Sequence, residues 1–290
     1  MEFNNFIQLV QEAIQSRISP ELKVEVQSIE KNNGLIYKGL VIIDPIHNIS
    51  PTIYLEAYYQ QYINGTPLGE IYNHILKTYY EFAPKEDFDI SIFTDFEKAK
   101  GRIVMKLVNY EKNQLLLEKV PHVQFKDLAI VFLCSASDFH NEYATILIRH
   151  EHVKYWNIDS ETLYEIAKRN TPFLLPYRFE SMSDFLKETC NWQDFMEDSS
   201  MYLLTNQLKI NGACTILYNG LLKKIARQLD SDFVILPSSI HEVLILPCNS
   251  PEDLPYYSNM VKEVNTTQLS EDEILSEQAY YYSKEKQTII

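Results

Sequence analysis

Two aliphatic blocks separated by a short polar turn constrain the fold of this chain more than any other segment. Residues 232–247 read DFVILPSSIHEVLILP. The blocks Val234–Leu236 and Val243–Leu246 are aliphatic and partly β-branched, which favours strands over helices. Because parallel strands need a long crossover, a connection this short joins antiparallel neighbours. The segment therefore predicts a buried hairpin that turns at Pro237-Ser238-Ser239.

The remaining segments mix helical and extended patterns. A second hairpin is predicted for residues 22–30 and 35–43, because Asn33-Gly34 suits the positive φ angles of a tight turn. Further strands are predicted at residues 128–136, 143–153, 201–206 and 279–282. Helices are predicted at residues 3–16, 51–63, 67–82, 95–110, 157–170, 183–189, 213–229 and 251–264, with a last helix starting at residues 270–273. These elements predict an α+β fold with a mixed, largely antiparallel sheet and packed helices.

The length of 290 residues suits one large domain or two smaller ones. A boundary is weakly marked at residues 111–125, where no linker composition appears. We therefore expect an N-terminal α+β lobe over residues 1–112 and a C-terminal α+β lobe over residues 113–290. A single compact domain is the alternative.

Acidic residues outnumber basic ones by 40 to 26, which gives a formal net charge of −14. A surface of this charge repels a phosphate backbone, so direct nucleic-acid binding is not expected. The charge instead suits a protein partner, in particular a basic one. The oligomeric state does not follow from the sequence.

The cysteines and the apolar segments indicate the compartment. The four cysteines, at positions 134, 190, 214 and 248, form no CxxC pair, so buried thiols are expected rather than disulfides or zinc. The first residues, MEFNNFIQLV, lack the basic start of a signal peptide. The longest apolar run, LAIVFLC, is too short to span a bilayer. We expect a cytoplasmic protein that does not enter a membrane.

The turn at residues 237–242 carries residue types that also occur in active sites. His241-Glu242 does not complete the HExxH zinc motif, because position 245 is isoleucine. Ser239 and His241 lack a GxSxG elbow, and Glu242 points to the strand face opposite His241, so no catalytic residue is assigned. Two readings stay open: a structural turn whose polar atoms bond the local backbone, or a turn that binds a ligand.

His150 and His152 form the closest pair of histidines in the sequence. On a strand both side chains would project to one face, which is compatible with a metal ion. The sequence names no third ligand, and a solvated strand end explains the pair as well. We expect neither a metal nor a cofactor.

Several strings resemble an uncharacterised family from Gram-positive, largely gut-dwelling bacteria that is often carried on mobile elements. The strings are MYLLTN, KINGA, DFVILPSSIHEVLILP, MVKEVN and LSEQAYYY. The resemblance implies a bacterial and cytoplasmic setting but supplies no reaction. Residues within its most recognisable strings are Asn211, Gly212, Ser238, Ser239, His241, Glu242 and Asn265.

We expect a non-enzymatic interaction or regulatory protein of a bacterial mobile element or phage-defence setting, whose acidic surface binds a protein partner. This expectation follows from the net charge and from the incomplete catalytic set. The alternative is a hydrolase or a small-molecule-binding protein that uses the Ser238–Glu242 turn. The ligand-binding candidates for that alternative are Asn211, Ser238, Ser239, His241, Glu242 and Asn265.

Overall fold

A computed structural model describes residues 1–84, 87, 89–136, 144–190 and 200–290. The chain forms two compact units, Met1–Ile90 and Ser91–Ile290. Residues 111–125, where the sequence weakly marks a boundary, lie inside the second unit. All residues of the candidate turn belong to that larger unit.

In its described residues, the first unit combines one antiparallel sheet with three α-helices. Its elements are α1 Phe3–Gln15, β1 Lys23–Glu30, β2 Ile36–Ile43, β3 Thr52–Tyr54, α2 Leu55–Ile63 and α3 Leu68–Phe82. The strands pair in the order β1-β2-β3. Asn33 and Gly34 have φ angles of 61° and 72°, so the predicted tight turn between β1 and β2 is confirmed. Phe6, Val10 and Ile14 of α1 are buried at four-residue spacings, which place them on one face of an amphipathic helix.

The start of α2 differs from the prediction. The sequence places a helix start at Ser50-Pro51, but the helix begins at Leu55. Residues 52–54 instead add an edge strand to β2. The Ser50 hydroxyl donates a hydrogen bond to the carbonyl of Ile42, so it fastens this edge strand and caps no helix.

The second unit contains the remaining elements. They are α4 Ser91–Thr94, α5 Phe96–Ala99, β4 Ile103–Asn109, α6 Gln114–Leu117, β5 His122–Phe125, β6 Leu128–Ser135, β7 Thr145–Leu147, α7 His150–Trp156, α8 Ser160–Leu174, β8 Tyr177–Ser181, α9 Met182–Cys190, β9 Tyr202–Asn206, α10 Leu221–Leu229, β10 Phe233–Leu236, β11 Val243–Pro247, α11 Leu254–Thr267, β12 Tyr280–Ser283 and β13 Thr288–Ile289. Short 3₁₀ helices occupy Lys100–Arg102, Gly212–Leu217 and Pro251–Asp253.

Two antiparallel sheets organise the second unit. In the smaller sheet β6 pairs with β4 on one side and with β5 and then β7 on the other. The larger sheet has the strand order β13-β12-β10-β11-β9-β8. A shared core draws side chains from both sheets and from α8 and α10, among them Phe132, Leu163, Ile225 and Phe233. The predicted α+β class with antiparallel sheet is therefore confirmed.

Residues 95–110 do not form the single helix that the sequence predicts. Asp95 does cap a helix, since its carboxylate accepts the Glu97 N–H at 2.9 Å, but α5 ends at Ala99. Strand β4 then buries both of its faces: Met105 packs in the main core, whereas Val108 packs in a separate cluster with Leu117. A strand buried on both sides shows no simple alternation of polar and apolar residues, which is why the helical pattern misleads.

Three other elements need correction. The strand predicted for residues 143–153 is β7 alone, and residues 150–156 form α7. The helix predicted for residues 213–229 is interrupted after the 3₁₀ helix ends at Leu217, and Gly220, with a φ of 72°, precedes the start of α10. The predicted helix start at residues 270–273 is a turn in which the Glu273 N–H donates to the Ser270 carbonyl.

In the parts of the chain that the structure describes, no helix combines the length and the apolar character needed to cross a membrane.

Candidate functional site

The candidate turn, residues 237–242, connects β10 to β11 and is held by backbone hydrogen bonds to two other segments. The Ser238 carbonyl accepts the Leu275 N–H at 2.8 Å, and the Ile240 N–H donates to the Glu273 carbonyl at 2.9 Å. The Ile240 carbonyl in turn accepts the Ala213 N–H at 3.2 Å. The turn is therefore fixed between the C-terminal segment and the 3₁₀ helix that starts at Gly212.

Ser239 and His241 are engaged with backbone groups. Ser239 is buried, and its hydroxyl oxygen accepts the His241 backbone N–H at 3.0 Å. The His241 ring accepts the Asn211 backbone N–H at Nδ1, 3.2 Å away, and its Nε2 lies 3.8 Å from a Glu273 carboxylate oxygen. A serine nucleophile needs a direct hydrogen bond to its general base. The imidazole here faces Asn211 and Glu273 instead, so the turn lacks the arrangement of a serine hydrolase.

Asn211 and Gly212 bring the preceding loop against the turn. Asn211 has a φ of 53°, in the left-handed region that asparagine tolerates. Gly212 lies so close to Thr205 that an added Cβ would be 2.1 Å from its hydroxyl oxygen. That hydroxyl donates to the His241 carbonyl at 2.7 Å. Strand β9, the loop and the turn thus form one tightly packed junction.

A cavity of about 280 Å³, which we name the Ser238–Glu242 cavity, lies on one side of this junction. Its apolar lining comes from α9, β9, β11, α11 and the segment after α11: Met182, Phe185, Leu203, Leu244, Val264 and Leu269. Four polar side chains complete the lining: Thr205, Lys209, Ser238 and Glu242. The cavity therefore has an apolar body and a small number of polar groups, as ligand sites commonly do.

Ser238 and Glu242 present polar atoms to this cavity. Ser238 is largely buried, and its hydroxyl makes no hydrogen bond within the described part of the chain. Burial raises the pKa of the Glu242 carboxyl above its ordinary value, and the nearby Glu273 raises it further. A hydrogen bond from the Ser239 side chain and the charge of His241 lower that pKa and partly offset the rise. The carboxyl is thus a perturbed acid in a cleft, a feature enriched at functional sites.

Lys209 lies at another part of the lining. Its ammonium is 4.7 Å from the centroid of the Phe185 ring, within cation–π range. The pKa of the exposed Glu188 carboxyl is lowered mainly by the hydrogen bond from Arg178 and additionally by the charge of Lys209. The charge of Lys209 is therefore directed towards the α9 side of the cavity.

The structure separates the candidate residues by position: five of them belong to the junction around the turn, and Asn265 lies apart from it. Ser238 and Glu242 line the cavity, whereas Asn211, Ser239 and His241 form the supporting hydrogen bonds described above. The expectation that the polar atoms of the turn bond local backbone thus describes Ser239 but not Ser238 or Glu242.

Asn265 lies elsewhere, beside a different cavity of about 350 Å³ that Lys112 and Glu277 also line. Its side-chain N–H donates to the Ser276 carbonyl at 2.8 Å, which fastens the C-terminal segment to α11. Asn265 is therefore not grouped with the turn.

Sequence reasoning missed Thr205, Lys209 and Phe185, which line the cavity from β9, from the loop after it and from α9. Leu203 and Thr205 are two residues apart in β9, so their side chains lie on the same face of the strand. This spacing is a weak signal for two of the residues that line the cavity. No motif joins these positions to the turn.

His150 and His152 lie on α7 and not on a strand. The His152 ring accepts the Arg149 backbone N–H at 3.0 Å, and burial lowers the pKa of this histidine. Within the described ranges, no group of three His, Cys, Asp or Glu side chains is placed so that it could hold a metal ion. His152 therefore helps to cap the start of α7.

These features define an α+β protein with antiparallel sheets, whose larger unit encloses an amphipathic cavity beside a hairpin turn. Residues 3–284 match the model of the family described as "Family of unknown function (DUF5688)", so the chain belongs to this family. The predicted resemblance to an uncharacterised family is thereby confirmed. No curated protein and no solved structure matches the chain.

Proposed function

We propose that this protein is a non-catalytic binding protein that holds a small amphipathic ligand in the Ser238–Glu242 cavity. One observation carries the proposal: the largely apolar hollow is lined by Ser238, whose hydroxyl has no hydrogen-bond partner among the described residues, and by Glu242, whose carboxyl is partly buried. Its volume of about 280 Å³ is close to the lower end of known ligand pockets. A small ligand, and not a polymer, suits this size.

Binding without catalysis follows from how the other polar atoms are used. The Ser239 hydroxyl accepts a backbone N–H, and the His241 ring accepts another at Nδ1. Neither side chain lines the cavity. Among the described lining residues, a ligand there would meet hydrogen-bonding groups but no paired nucleophile and base.

The setting of this function is part of the proposal. The strings quoted above support a Gram-positive bacterial protein of a mobile element or phage-defence system that works in the cytoplasm. A net charge of −14 supports a basic protein partner, whose binding the ligand would regulate. The interaction role inferred from charge and the ligand site are then two parts of one regulatory protein.

The proposal can be tested by replacing a leucine that lines the cavity with the larger phenylalanine, which would occupy the space of the ligand. Leu244 of β11 lines the cavity, and Leu246, two residues further along the same strand, does not. Leu244→Phe should therefore weaken binding of a small probe at least tenfold, while Leu246→Phe serves as the matched control. A second filling variant, Leu269→Phe, enters from the segment after α11 and replaces Leu244→Phe if that variant does not fold.

Three probes share an apolar body and differ in charge: 2-phenylethylamine, 2-phenylethanol and 3-phenylpropionate. Calorimetric titration of the wild-type protein should detect binding of at least one probe. Binding of that probe should be lost in Leu244→Phe and in Leu269→Phe. The proposal is wrong if none of the three binds, or if the filling variants bind as well as the Leu246→Phe control.

A further inference from the structure

We infer that the Ser238–Glu242 cavity selects a protonated amine carried on a compact apolar body, with the Glu242 carboxylate as its counter-ion. This inference rests on the proposed function and names the ligand class of the same site. It is argued from the charges that surround Glu242 and from the shape of the cavity.

Within the described part of the chain, Glu242 has no dedicated cationic partner among the groups that act on it. Those groups are the Ser239 side chain, His241 and Glu273. His241 is the single potential cation of the three, and its Nε2 lies 3.8 Å from the Glu273 carboxylate, which competes for its charge. Partial burial of the Glu242 carboxylate costs free energy unless its charge is paired, and a ligand ammonium would supply the missing charge.

Lys209 also lines the cavity and has to be weighed against this assignment. Its ammonium lies over the Phe185 ring, and its charge acts on Glu188 outside the cavity lining. An anionic ligand would compete with the Phe185 ring for the Lys209 ammonium and would bring a second negative charge near Glu242. A cationic ligand placed at Glu242 avoids both costs.

The rest of the cavity suits the remainder of such a ligand. The Ser238 hydroxyl oxygen can accept a second N–H of the ammonium, since Ser238 and Glu242 line the same hollow. Leu203, Leu244 and Val264 provide apolar walls for a branched alkyl chain or one aromatic ring. The ligand is therefore short, with one charged end and one apolar end.

The affinity should depend on pH in a defined direction. Burial raises the pKa of Glu242, so its carboxyl stays protonated up to a higher pH than that of an exposed glutamate. The amine binds the ionised form, and its binding therefore releases a proton. Affinity should be highest above the pKa of Glu242 and should fall as the pH drops through it, approaching tenfold per pH unit well below it. The other ionisable side chains that act on Glu242 or line the cavity are His241, Glu273 and Lys209.

Calorimetry with the three probes tests the inference. At about pH 7, where an amine is charged and a carboxylic acid is ionised, 2-phenylethylamine should bind at least tenfold more tightly than 2-phenylethanol or 3-phenylpropionate. Glu242→Gln should remove this preference while still binding the apolar body weakly. Glu263→Gln removes the same charge from an exposed position of α11 and should leave the preference intact.

The outcomes separate the two proposals. If 2-phenylethanol or 3-phenylpropionate binds as tightly as the amine, and Leu244→Phe still abolishes binding, the amine inference is wrong and the cavity remains the binding site. If Glu242→Gln, shown to be folded by circular dichroism, keeps the full amine preference, the inference also fails. If no probe binds, both the inference and the proposed function fail.

Discussion

Gly212 and Thr205 approach each other so closely that a Cβ on the glycine would lie 2.1 Å from the Thr205 hydroxyl oxygen. The same Cβ would be 2.5 Å from the His241 carbonyl oxygen and 2.8 Å from the Asn206 backbone nitrogen. A side chain can move away from such a clash, but backbone atoms held in a sheet and a turn cannot do so easily. Glycine is therefore favoured at position 212, because the backbone there packs directly against β9 and the turn at residues 237–242.

Gly212→Ala is expected to lower the free energy of unfolding by about 1–3 kcal/mol, the usual cost of overpacking a buried site. Urea unfolding followed by circular dichroism measures the change. Gly101→Ala is the matched control, because an added Cβ there meets no atom within 4 Å. Equal stability of the two variants would show that the junction can relax.

Much of the fold can be predicted from the sequence where the local pattern and the tertiary environment agree. Helix α1 and the β10–β11 hairpin are such cases. Strand β4 is not, because its residues are buried by cores on both faces and therefore carry no alternation. Gly220 is a further example: its positive φ divides an apolar stripe that reads as one continuous helix.

The candidate site could be predicted only in part for a similar reason. Ser238 and Glu242 are visible because they lie within a recognisable hairpin. Leu203 joins them through strand pairing, since it lies opposite Leu244 in the β9–β11 register. No single string encodes that pairing, so the sequence indicates a polar turn but not the cavity beside it.

Tyr280→Phe is expected to destabilise the second unit by about 1.5–3 kcal/mol, the range for a hydrogen bond to a charged group. The buried Tyr280 hydroxyl donates to the Asp127 carboxylate at 2.5 Å, and Ser276 donates to the other carboxylate oxygen at 2.6 Å. Together they fasten β12 and the segment before it to the turn between β5 and β6. Guanidinium unfolding should show the loss, and the exposed Tyr256→Phe control should be within 0.5 kcal/mol or so of wild type.

Cys134 and Cys214 should resist alkylation in the folded protein. Burial raises the pKa of the Cys134 thiol to about 11 and that of the Cys214 thiol to about 12, so neither forms the reactive thiolate in neutral solution. Iodoacetamide labelling followed by peptide mass spectrometry should find both peptides unmodified under native conditions and fully modified in denaturant. Rapid native labelling of either thiol would contradict its buried placement.

Glu242→Gln should stabilise the protein against unfolding near neutral pH and lose this advantage in acid. Burial raises the pKa of Glu242 above its ordinary value of 4.5, so the folded chain binds a proton more tightly than the unfolded chain does. Between these two pKa values the native state holds more protons, and the free energy of unfolding of the wild type therefore decreases as the pH rises. Glutamine does not ionise, so the variant lacks this decrease and also loses the repulsion from Glu273.

Urea unfolding of both proteins from about pH 4 to about pH 7 measures the difference, with Glu263→Gln as the exposed control. A variant that is less stable than wild type at neutral pH would mean that the ionised carboxylate is well stabilised without a ligand, and the case for an ammonium in the Ser238–Glu242 cavity would weaken with it.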